Sequence, residues 1–346
     1  MSLDKKDYIC LQPFNFSEIF DHGTFMCCPD WLPVNLGIPN DIKANWNSDK
    51  AKEVRESIID GSYKFCNEDR CPKLRGLKDG KTQGFITKEQ FNKNIDKYTQ
   101  DTPESIKLNF DQSCNLKCPS CRTDFIAFKG EDREKTESMM KQVEDQLAQG
   151  LTHIECTGTG DPFFSVTFRK WMMRFDPKDY PNVETIHLHT NGTLWNPSNW
   201  DRMEGIHKYV KSAEISMDAA TKDTYENKTR IGGKWDVLIR NLNYIATIPT
   251  LDKVTLSFVV QKDNYQEMPR FYDLIKNIFN ESGKEWSVQF TRVVNWGTFT
   301  EEQYKDVNVG DIEHPDYNKL VEVFKTVTVD EHVQHNLILP QWQSLL

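Results

Sequence analysis

The sequence predicts an α/β fold, in which a small cysteine-rich N-terminal domain precedes an incomplete barrel of six strand–helix units. Short apolar runs alternate with amphipathic segments from residue 105 onward, which indicates a parallel sheet. Five of the nine cysteines lie within the first 90 residues, in a segment too short and polar to form a large core alone. A bound metal would supply the stability that such a segment lacks.

The composition excludes several classes of protein. The chain has 346 residues and a formal net charge of −9, which disfavours a nucleic-acid partner. It has no apolar run of about eighteen residues that could span a membrane, and its polar N-terminus lacks the apolar core of a signal peptide. We therefore expect a cytoplasmic protein, in which clustered cysteines indicate metal binding or catalysis.

The N-terminal domain is predicted to cover residues 1–90. A turn at Gly23 leads into a short strand, and residues 41–60 show the apolar spacing of a helix that Gly61 ends. Cys66 and Cys71 follow on a loop. Residues 91–104 are predicted to be a linker, at the end of a polar stretch that begins at residue 72.

The predicted barrel covers residues 105–295. Its strands are expected at 105–110, 152–156, 184–189, 213–217, 253–260 and 286–293, and its helices at 136–147, 164–175, 235–245 and 268–279. Residues 296–346 are predicted to be a helical extension, with a helix at 317–327 and an apolar tail at 337–342 that closes the barrel or packs on the N-terminal domain.

Three cysteines with CxxxCxxC spacing follow the first predicted barrel strand: Cys114, Cys118 and Cys121. Thiolates are soft ligands for iron–sulfur clusters and zinc. Three sulfurs on one loop can bind three irons of a 4Fe–4S cube and leave the fourth iron open. The alternatives are a zinc knuckle that lacks one ligand, or three unrelated thiols.

Polar groups also follow the later strands, at the barrel edge where functional groups collect. The residues Cys156 to Pro162 contain two glycines that let a ligand approach the backbone, and Asp161 could accept from a cationic amine. Thr190 and Asn191 follow the third strand and Ser216 and Asp218 the fourth. Such short polar groups suit ribose hydroxyls and an amino-acid carboxylate.

With these motifs the sequence resembles the radical S-adenosylmethionine (radical SAM) enzymes, whose signature is CxxxCxxC after the first strand of a partial (β/α)6, TIM-like barrel. The resemblance implies that Cys114, Cys118 and Cys121 bind a 4Fe–4S cluster whose fourth iron chelates S-adenosylmethionine. It also implies that one electron cleaves this cofactor, and that the resulting 5′-deoxyadenosyl radical abstracts hydrogen from a substrate.

The same resemblance implies which residues contact S-adenosylmethionine. Gly158 to Asp161 stand where the family has Gly-Gly-Glu, and Ser120 stands where it has an aromatic residue. The residues from Ser216 to Asp218 and from Arg230 to Gly233 resemble elements that contact the ribose and the carboxylate. The implied cofactor-binding residues are Gly158, Thr159, Gly160, Asp161, Thr190, Asn191, Ser216, Asp218 and Arg230.

The N-terminal domain resembles the auxiliary iron–sulfur module called SPASM, or its shorter twitch form, which usually follows the barrel. The resemblance implies a second 4Fe–4S cluster on Cys10, Cys28, Cys66 and Cys71. The seventeen residues between Cys10 and Cys28 favour Cys28 over Cys27, although the choice between these two cysteines stays open.

Other residues have two interpretations. Cys156 could donate hydrogen to a substrate radical, or it could be a small apolar residue of a buried strand. His187 and His189 lie on one strand, and one of them is expected to face the barrel interior.

These features predict an oxidoreductase that performs a dehydrogenation or cross-link on a small polyhydroxylated or nucleotide-linked metabolite. The first alternative is a maturase that cross-links or epimerises a ribosomal peptide or protein. The second is a two-cluster electron-transfer protein without a substrate, and the third is a zinc-stapled binding protein. The expected partners are the substrate and an electron donor such as flavodoxin or ferredoxin, with no membrane.

Overall fold

The structure, a computed structural model, describes residues 3–327 and 330–337. The strands are β1 (Tyr8–Cys10), β2 (Phe16–Phe20), β3 (Gly23–Phe25), β4 (Phe85–Thr87), β5 (Ser105–Leu108), β6 (His153–Cys156), β7 (Thr185–Thr190), β8 (Val210–Ser216), β9 (Lys253–Val260), β10 (Glu285–Arg292) and β11 (Val333–His335).

The α-helices are α1 (Gln12–Asn15), α2 (Ile42–Trp46), α3 (Asp49–Ile59), α4 (Pro72–Lys78), α5 (Lys88–Lys93), α6 (Ile95–Tyr98), α7 (Gly130–Gln146), α8 (Val166–Arg174), α9 (Pro197–Trp200), α10 (Glu204–His207), α11 (Lys222–Thr224), α12 (Trp235–Ala246), α13 (Met268–Phe279), α14 (Glu301–Val307) and α15 (Tyr317–Lys325). Three short 3-10 turns cover Lys5–Asp7, Asp201–Met203 and Tyr265–Glu267, and one π-helical turn covers Tyr225–Thr229. None of these described helices has the length and apolar character needed to cross a membrane.

The chain divides into two units. Unit 1 contains Met1–Asp111, Lys129–Thr159 and Arg174–Ile186, and unit 2 contains Gln112–Phe128, Gly160–Met173 and His187–Leu346. The cysteine loop, residues 112–128, therefore lies in unit 2, whereas the N-terminal cysteines lie in unit 1.

Unit 1 contains a mostly parallel sheet. β2 pairs in parallel with β5, and β5 pairs in parallel with β6, whereas β3 lies antiparallel at the other edge of β2. β1 and β4 form a separate antiparallel pair. A strand from the predicted N-terminal domain thus adds directly to the first strands of the predicted barrel.

Unit 2 contains a parallel sheet whose strands follow chain order. β8, β9, β10 and β11 pair in parallel, and β7 lies next to β8. Phe258, Phe271 and Phe290 pack edge to face, with ring centroids 4.9 to 6.1 Å apart, and join β9, α13 and β10. Burial of this apolar face supplies the main stabilisation of the sheet.

The predicted α/β class with a mainly parallel sheet is confirmed. The strands expected at 105–110, 152–156, 184–189, 213–217, 253–260 and 286–293 appear as β5 to β10, each within about three residues of its predicted ends. The four predicted barrel helices appear as α7, α8, α12 and α13. Alternating apolar runs and amphipathic helices are strong signals, which explains this agreement.

The helix expected at 41–60 is two helices. α2 ends at Trp46, and α3 begins after Ser48, whose side chain accepts a hydrogen bond from the Ala51 amide at 3.3 Å. Asn and Ser compete with helical hydrogen bonds inside a helix and favour caps, so Asn47 and Ser48 divide the segment.

The polar stretch from residue 72 to 104 contains regular structure, namely α4, β4, α5 and α6. A capping box between Thr87 and Gln90 begins α5, and Phe91 of that helix is buried against Phe14. The predicted linker at 91–104 therefore begins inside a helix, because one well-placed aromatic residue and a cap outweigh a polar composition.

The described part of the C-terminal extension contains α14, α15 and β11. α15 matches the helix expected at 317–327, and β11 pairs in parallel with β10. The predicted tail at 337–342 lies outside the described residues beyond Leu337. The domain boundaries proposed from the sequence stay predictions.

Candidate functional site

The three cysteines Cys114, Cys118 and Cys121, here called the cysteine trio, lie on a tightly folded loop. The Cys114 amide donates to the Ile126 carbonyl at 2.8 Å, and the amides of Cys121 and Arg122 both donate to the Cys118 carbonyl. Cys114 and Cys118 are buried, whereas Cys121 is exposed. These hydrogen bonds fix the backbone at Cys114 and from Cys118 to Arg122.

Each sulfur of the trio accepts a hydrogen bond from a nitrogen donor. Asn191 Nδ2 lies 3.6 Å from the Cys114 sulfur, and Arg230 Nη1 lies 3.5 Å from the Cys118 sulfur. Arg122 Nη2 lies 3.5 Å from the Cys121 sulfur. Donors and cationic groups at these positions stabilise thiolate charge and orient the ligands of a metal cluster.

Burial works against ionisation of the two inner thiols in the protein without metal. It raises the pKa of Cys114 to about 12, and nearby Asp161 adds to this effect. It also raises the pKa of Cys118, although Arg230 opposes the shift. Metal binding would therefore displace protons from these thiols.

Asp161 is fully buried, and protein donors occupy its carboxylate. One oxygen accepts from the amides of Phe163 and Phe164 at 3.0 and 3.1 Å. The other accepts from the Thr190 hydroxyl at 2.7 Å and the Asn191 amide at 2.9 Å. A carboxylate has about four acceptor sites. This arrangement differs from the expected role of Asp161 as a ligand of a cofactor amine, because no acceptor site is left.

Asn191 connects this carboxylate to the cysteine loop. Its amide group donates to Asn115 Oδ1 at 2.9 Å as well as to the Cys114 sulfur, and its oxygen accepts from the Thr193 amide at 3.0 Å. Gly192 follows with a φ of 74°, where a Cβ would lie 3.0 Å from the side chains of Ile215 and Leu238. The turn thus requires glycine for both its backbone conformation and its packing.

Asp218 and Arg230 form a buried ion pair. Arg230 Nη2 lies 2.7 Å from an Asp218 oxygen, with the two side chains 11% and 1% exposed. The second Asp218 oxygen accepts from the Val259 amide at 2.7 Å. Asp218 raises the pKa of Arg230, so the guanidinium stays charged between Asp218 and Cys118.

Arg230 follows the π-helical turn of Tyr225–Thr229. Such turns are rare and often mark functional sites. Arg230 Nε and the Tyr225 hydroxyl are both buried without a hydrogen-bond partner. Gly233 packs against this tyrosine, since a Cβ there would lie 2.6 Å from the ring. A polar group supplied by a ligand would satisfy these two donors.

The other predicted cofactor-binding residues lie in two places. Ser216 hydrogen-bonds His189 Nε2 at 3.1 Å within unit 2, where Gly160 also lies. Gly158 and Thr159 lie in unit 1, where the Thr159 hydroxyl donates to the Asn109 carbonyl at 2.8 Å.

Two further sequence interpretations can be compared with the structure. Cys156 is fully buried and pairs in register with Leu108, and its role as a hydrogen donor stays a prediction. His187 and His189 lie two residues apart in β7, so both occupy the same face of the strand instead of opposite faces.

Four of the five N-terminal thiols gather in unit 1: Cys10, Cys27, Cys66 and Cys71, here called the second cysteine set. Cys10 and Cys66 pack against the apolar cluster that contains Cys71, and Cys66 also packs against the cluster that contains Cys27. Burial and the neighbouring thiols Cys10 and Cys71 raise the pKa of Cys66 to about 12, and they also raise the pKa of Cys27.

Cys28 lies near Cys27, whose pKa it helps to raise. Its own sulfur accepts from the Asp30 amide, and the nearby charges include those of Glu18, Asp30 and Lys107. The sequence favoured Cys28 and left the choice open, and Cys27 is the more buried of the two thiols. Which of them is a cluster ligand stays a prediction.

Sequence reasoning missed Arg122, Asn115 and Tyr225. Arg122 directly follows the third cysteine of the trio, and a cation next to a thiol motif is a signal that could have found it. Asn115 and Tyr225 carried no such signal, because only the fold brings them to the site.

The donor chemistry of the trio fits an iron–sulfur cluster. Its three thiolates are soft ligands, each with a nitrogen donor at its sulfur, and each thiolate of an iron–sulfur cube binds a different iron.

Comparison with known proteins gives one family match. Residues 108–275 match the family model described as the Radical SAM superfamily. The Fe-coproporphyrin III synthase of Methanosarcina barkeri (strain Fusaro / DSM 804) is 23% identical over 179 residues, which cover 52% of this chain and 42% of that protein. This chain thus spans less than half of that relative's length.

Two solved structures of Streptococcus suis SuiB are also similar. The complex with the precursor peptide SuiA is 13% identical with a TM-score of 0.46, and the match covers 100% of this chain and 75% of that chain. The complex with S-adenosylmethionine is 14% identical with a TM-score of 0.43, and the match covers 85% and 62%. TM-scores this low carry no conclusion about this chain.

The family match includes the whole cysteine loop and extends past Arg230. The structure independently supplies a nitrogen donor for each sulfur of the trio. Over residues 108–275 this chain is thus similar to the radical SAM superfamily.

Proposed function

We propose that this protein is a radical SAM enzyme on a partial (β/α)6 barrel, and that the cysteine trio holds a 4Fe–4S cluster. The observation that carries the proposal is the nitrogen donor at each of the three sulfurs. When bound, the cluster and S-adenosylmethionine would supply a 5′-deoxyadenosyl radical, which abstracts hydrogen from a substrate.

The chain's own residues prepare this site. Arg230 donates to the Cys118 sulfur, and Asp218 keeps the guanidinium in place. The Asn191 side-chain amide donates to the Cys114 sulfur. These fixed donors stabilise negative charge on the sulfurs without reorganisation when the cluster binds.

Several residues are proposed to contact S-adenosylmethionine: Gly158, Thr159 and Gly160 through the backbone, and Thr190, Asn191, Ser216, Asp218 and Arg230 through side chains. Asp161 has a different proposed role. Since its carboxylate already accepts four hydrogen bonds, it holds the loops after Gly160 and after β7 in position.

The second cysteine set is proposed to hold another 4Fe–4S cluster, with Cys27 in place of Cys28. Four thiolates leave no vacant iron, so such a cluster transfers electrons rather than binding substrate. An electron acceptor in the protein favours a two-electron oxidation or a cross-link. The placement of Cys10, Cys66 and Cys71 at one apolar cluster, and of Cys27 and Cys66 at a second, supports this part of the proposal.

The proposed substrate is a small polyhydroxylated or nucleotide-linked metabolite. Maturation of a ribosomal peptide is the second candidate. A flavodoxin or ferredoxin is the proposed electron donor, and the cytoplasm is the proposed location. An electron-transfer protein without a substrate is the third candidate.

Anaerobic reconstitution with iron, sulfide and S-adenosylmethionine tests the main proposal. We expect a brown protein that releases 5′-deoxyadenosine on reduction, and loss of this product in Cys118→Ala. Cys156→Ala is the matched control, because Cys156 is also a buried cysteine but lies outside the trio. A brown protein that releases no 5′-deoxyadenosine would support electron transfer without a substrate instead. A colourless protein with bound zinc would contradict both the radical SAM function and the electron-transfer function.

The neighbouring pair Cys27 and Cys28 tests the second cluster. We expect Cys27→Ala to lose about four irons per chain and Cys28→Ala to retain the full content, near eight. The two variants differ by one position, which makes each the control for the other. Iron loss in Cys28→Ala alone would restore the ligand set expected from the sequence.

A further inference from the structure

The sheet of unit 2 has two unlike faces. Residues on one face of β7 to β10, including Leu188, Ile215, Leu256 and Phe258, are completely buried. The other face carries polar side chains, most of them partly exposed: His187, His189, Ser212, Glu214, Ser216 and Ser257. Parallel strands are usually apolar on both faces, because helices cover both. A polar second face therefore indicates contact with solvent or a ligand.

The polar side chains are connected across the strands. His187 Nδ1 lies 2.8 Å from the Ser212 hydroxyl, and His189 Nε2 lies 3.1 Å from the Ser216 hydroxyl. Ser216 in turn lies 3.2 Å from the hydroxyl of Ser257. These bonds hold the side chains in fixed positions, yet His189 keeps 25% of its side chain exposed. The face is thus a preorganised set of hydrogen-bond donors and acceptors.

Formal charge on this face is sparse. Its first row, at the amino end of the strands, contains the ion pair of Lys253 and Glu285. Above that row, within the described strands β7 to β10, Glu214 is the one formal charge, 3.8 Å from His189. This part of the face therefore has no lysine or arginine to pair with a phosphate or polycarboxylate. Removing such an anion from water without a cationic partner costs free energy.

The same face also lacks the surface for a large apolar ligand. Among its described residues above the Lys253 row, Val259 is the one aliphatic side chain, whereas Thr255, Ser287, Gln289 and Thr291 supply further polar groups. Ligand sites for flat apolar molecules are lined mainly by hydrophobic side chains.

This face continues into the candidate site. Ser216 precedes Asp218 by two residues, Asp218 pairs with Arg230, and Arg230 donates to the Cys118 sulfur. All of these residues lie in unit 2.

We propose that the polar face of β7 to β10 binds an uncharged, hydroxyl-rich small molecule, with His189, Ser216 and Ser257 as its hydrogen-bonding residues. The inference rests on the proposed function, since it names the substrate class of that site. Of the two substrate classes proposed above, the inference favours the polyhydroxylated metabolite over the nucleotide-linked metabolite.

The test is saturation-transfer NMR on the reconstituted full chain with three matched pairs of probes. These are D-glucose and glucose 6-phosphate, D-ribose and ribose 5-phosphate, and myo-inositol and its monophosphate. We expect at least one neutral probe to give a signal stronger than its phosphorylated partner. The variant Thr255→Val/Ser257→Ala should weaken that binding about fivefold or more, the usual consequence of losing a hydrogen bond.

Thr247→Val is the matched control, because it removes a hydroxyl that bonds the Tyr244 carbonyl near the end of α12, outside this sheet. Melting temperatures of all variants establish that they fold. A stronger signal from the phosphates, equal binding by both variants, or no signal from any neutral probe overturns the inference. Release of 5′-deoxyadenosine, measured on the same samples, reports on the proposed function separately.

Discussion

At the Asp218–Arg230 pair, removal of one charge should cost more stability than an ordinary surface substitution. Asp218 has a φ of 56°, which Asn tolerates, so Asp218→Asn removes the charge with little backbone strain. It leaves the guanidinium buried without a counter-ion, and we expect the free energy of unfolding to fall by about 3 kcal/mol. Urea denaturation of the protein without cofactors measures this change.

The control for this prediction is Asp236→Asn. Asp236 pairs with Lys222 at 2.6 Å, but both side chains are more than half exposed. Exposed pairs contribute little, so this variant should unfold close to the wild type. Equal effects of the two substitutions would contradict a structural role for the buried pair.

Glu18 should make unit 1 less stable as the pH rises. It is buried beside Asn109, whose amide donates to it at 2.5 Å, and burial raises its pKa to about 7. Between its ordinary pKa and 7 the folded protein binds the extra proton, so stability falls as the pH rises through that window, by on the order of 3 kcal/mol.

In Glu18→Gln this contribution should disappear. The difference in unfolding free energy between pH 5 and pH 8 should shrink relative to the wild type, because the amide does not titrate in this range. Chemical denaturation at both pH values measures the difference. An unchanged slope would show that another group causes the pH dependence.

The residues of the site show how far sequence reasoning reaches. Spacing identified the trio and the order of the polar motifs, because those signals are local in the chain. It left the choice between Cys27 and Cys28 open, and it did not detect that donors already surround Asp161. Both questions depend on which groups lie nearby in space.

At the level of elements, the strands were predictable and the connections were less so. Apolar runs such as β9 and β10 differ clearly from their surroundings, which places them well. The break between α2 and α3 depends on one serine cap, and the pairing of β2 with β5 joins residues almost ninety positions apart. Long-range pairing leaves no periodic signal in a single sequence.

The turn after β7 provides a test at this level. Gly192→Ala should destabilise the protein by about 2 to 4 kcal/mol, from backbone strain at a φ of 74° plus the approach of the new methyl to Ile215 and Leu238. Thermal and chemical unfolding measure the loss. Iron content of the reconstituted variant would show whether the displaced turn also disturbs the site.

Gly283→Ala separates the two contributions. Gly283 has nearly the same φ, 73°, but a Cβ there meets no atom within 4 Å. It should therefore cost only the strain, about 1 kcal/mol. If both substitutions cost the same, the packing against β8 and α12 would have no energetic weight.

For the whole molecule, the division into units differs from the division expected along the chain. Unit 1 includes the N-terminal residues together with β5 and β6, which were predicted to begin the barrel domain. Sequence composition changes near residue 104, yet sheet pairing continues across that point. The composition of a segment indicates its local solvent exposure, but it does not indicate which strands pair in one sheet.

The placement of the cysteines predicts that two clusters load independently. The trio lies in unit 2 and the second cysteine set lies in unit 1. Replacing the whole trio by alanine should leave about four irons per chain of about eight, and replacing the second set should leave the other four. Iron and sulfide assays with electron paramagnetic resonance of each reduced sample measure this directly.

Because each variant retains one complete thiolate set, the two spectra should add up to that of the wild type. Loss of all iron from either variant would mean that the cysteines serve one common cluster, and the electron outlet proposed for an oxidation would then have no separate site.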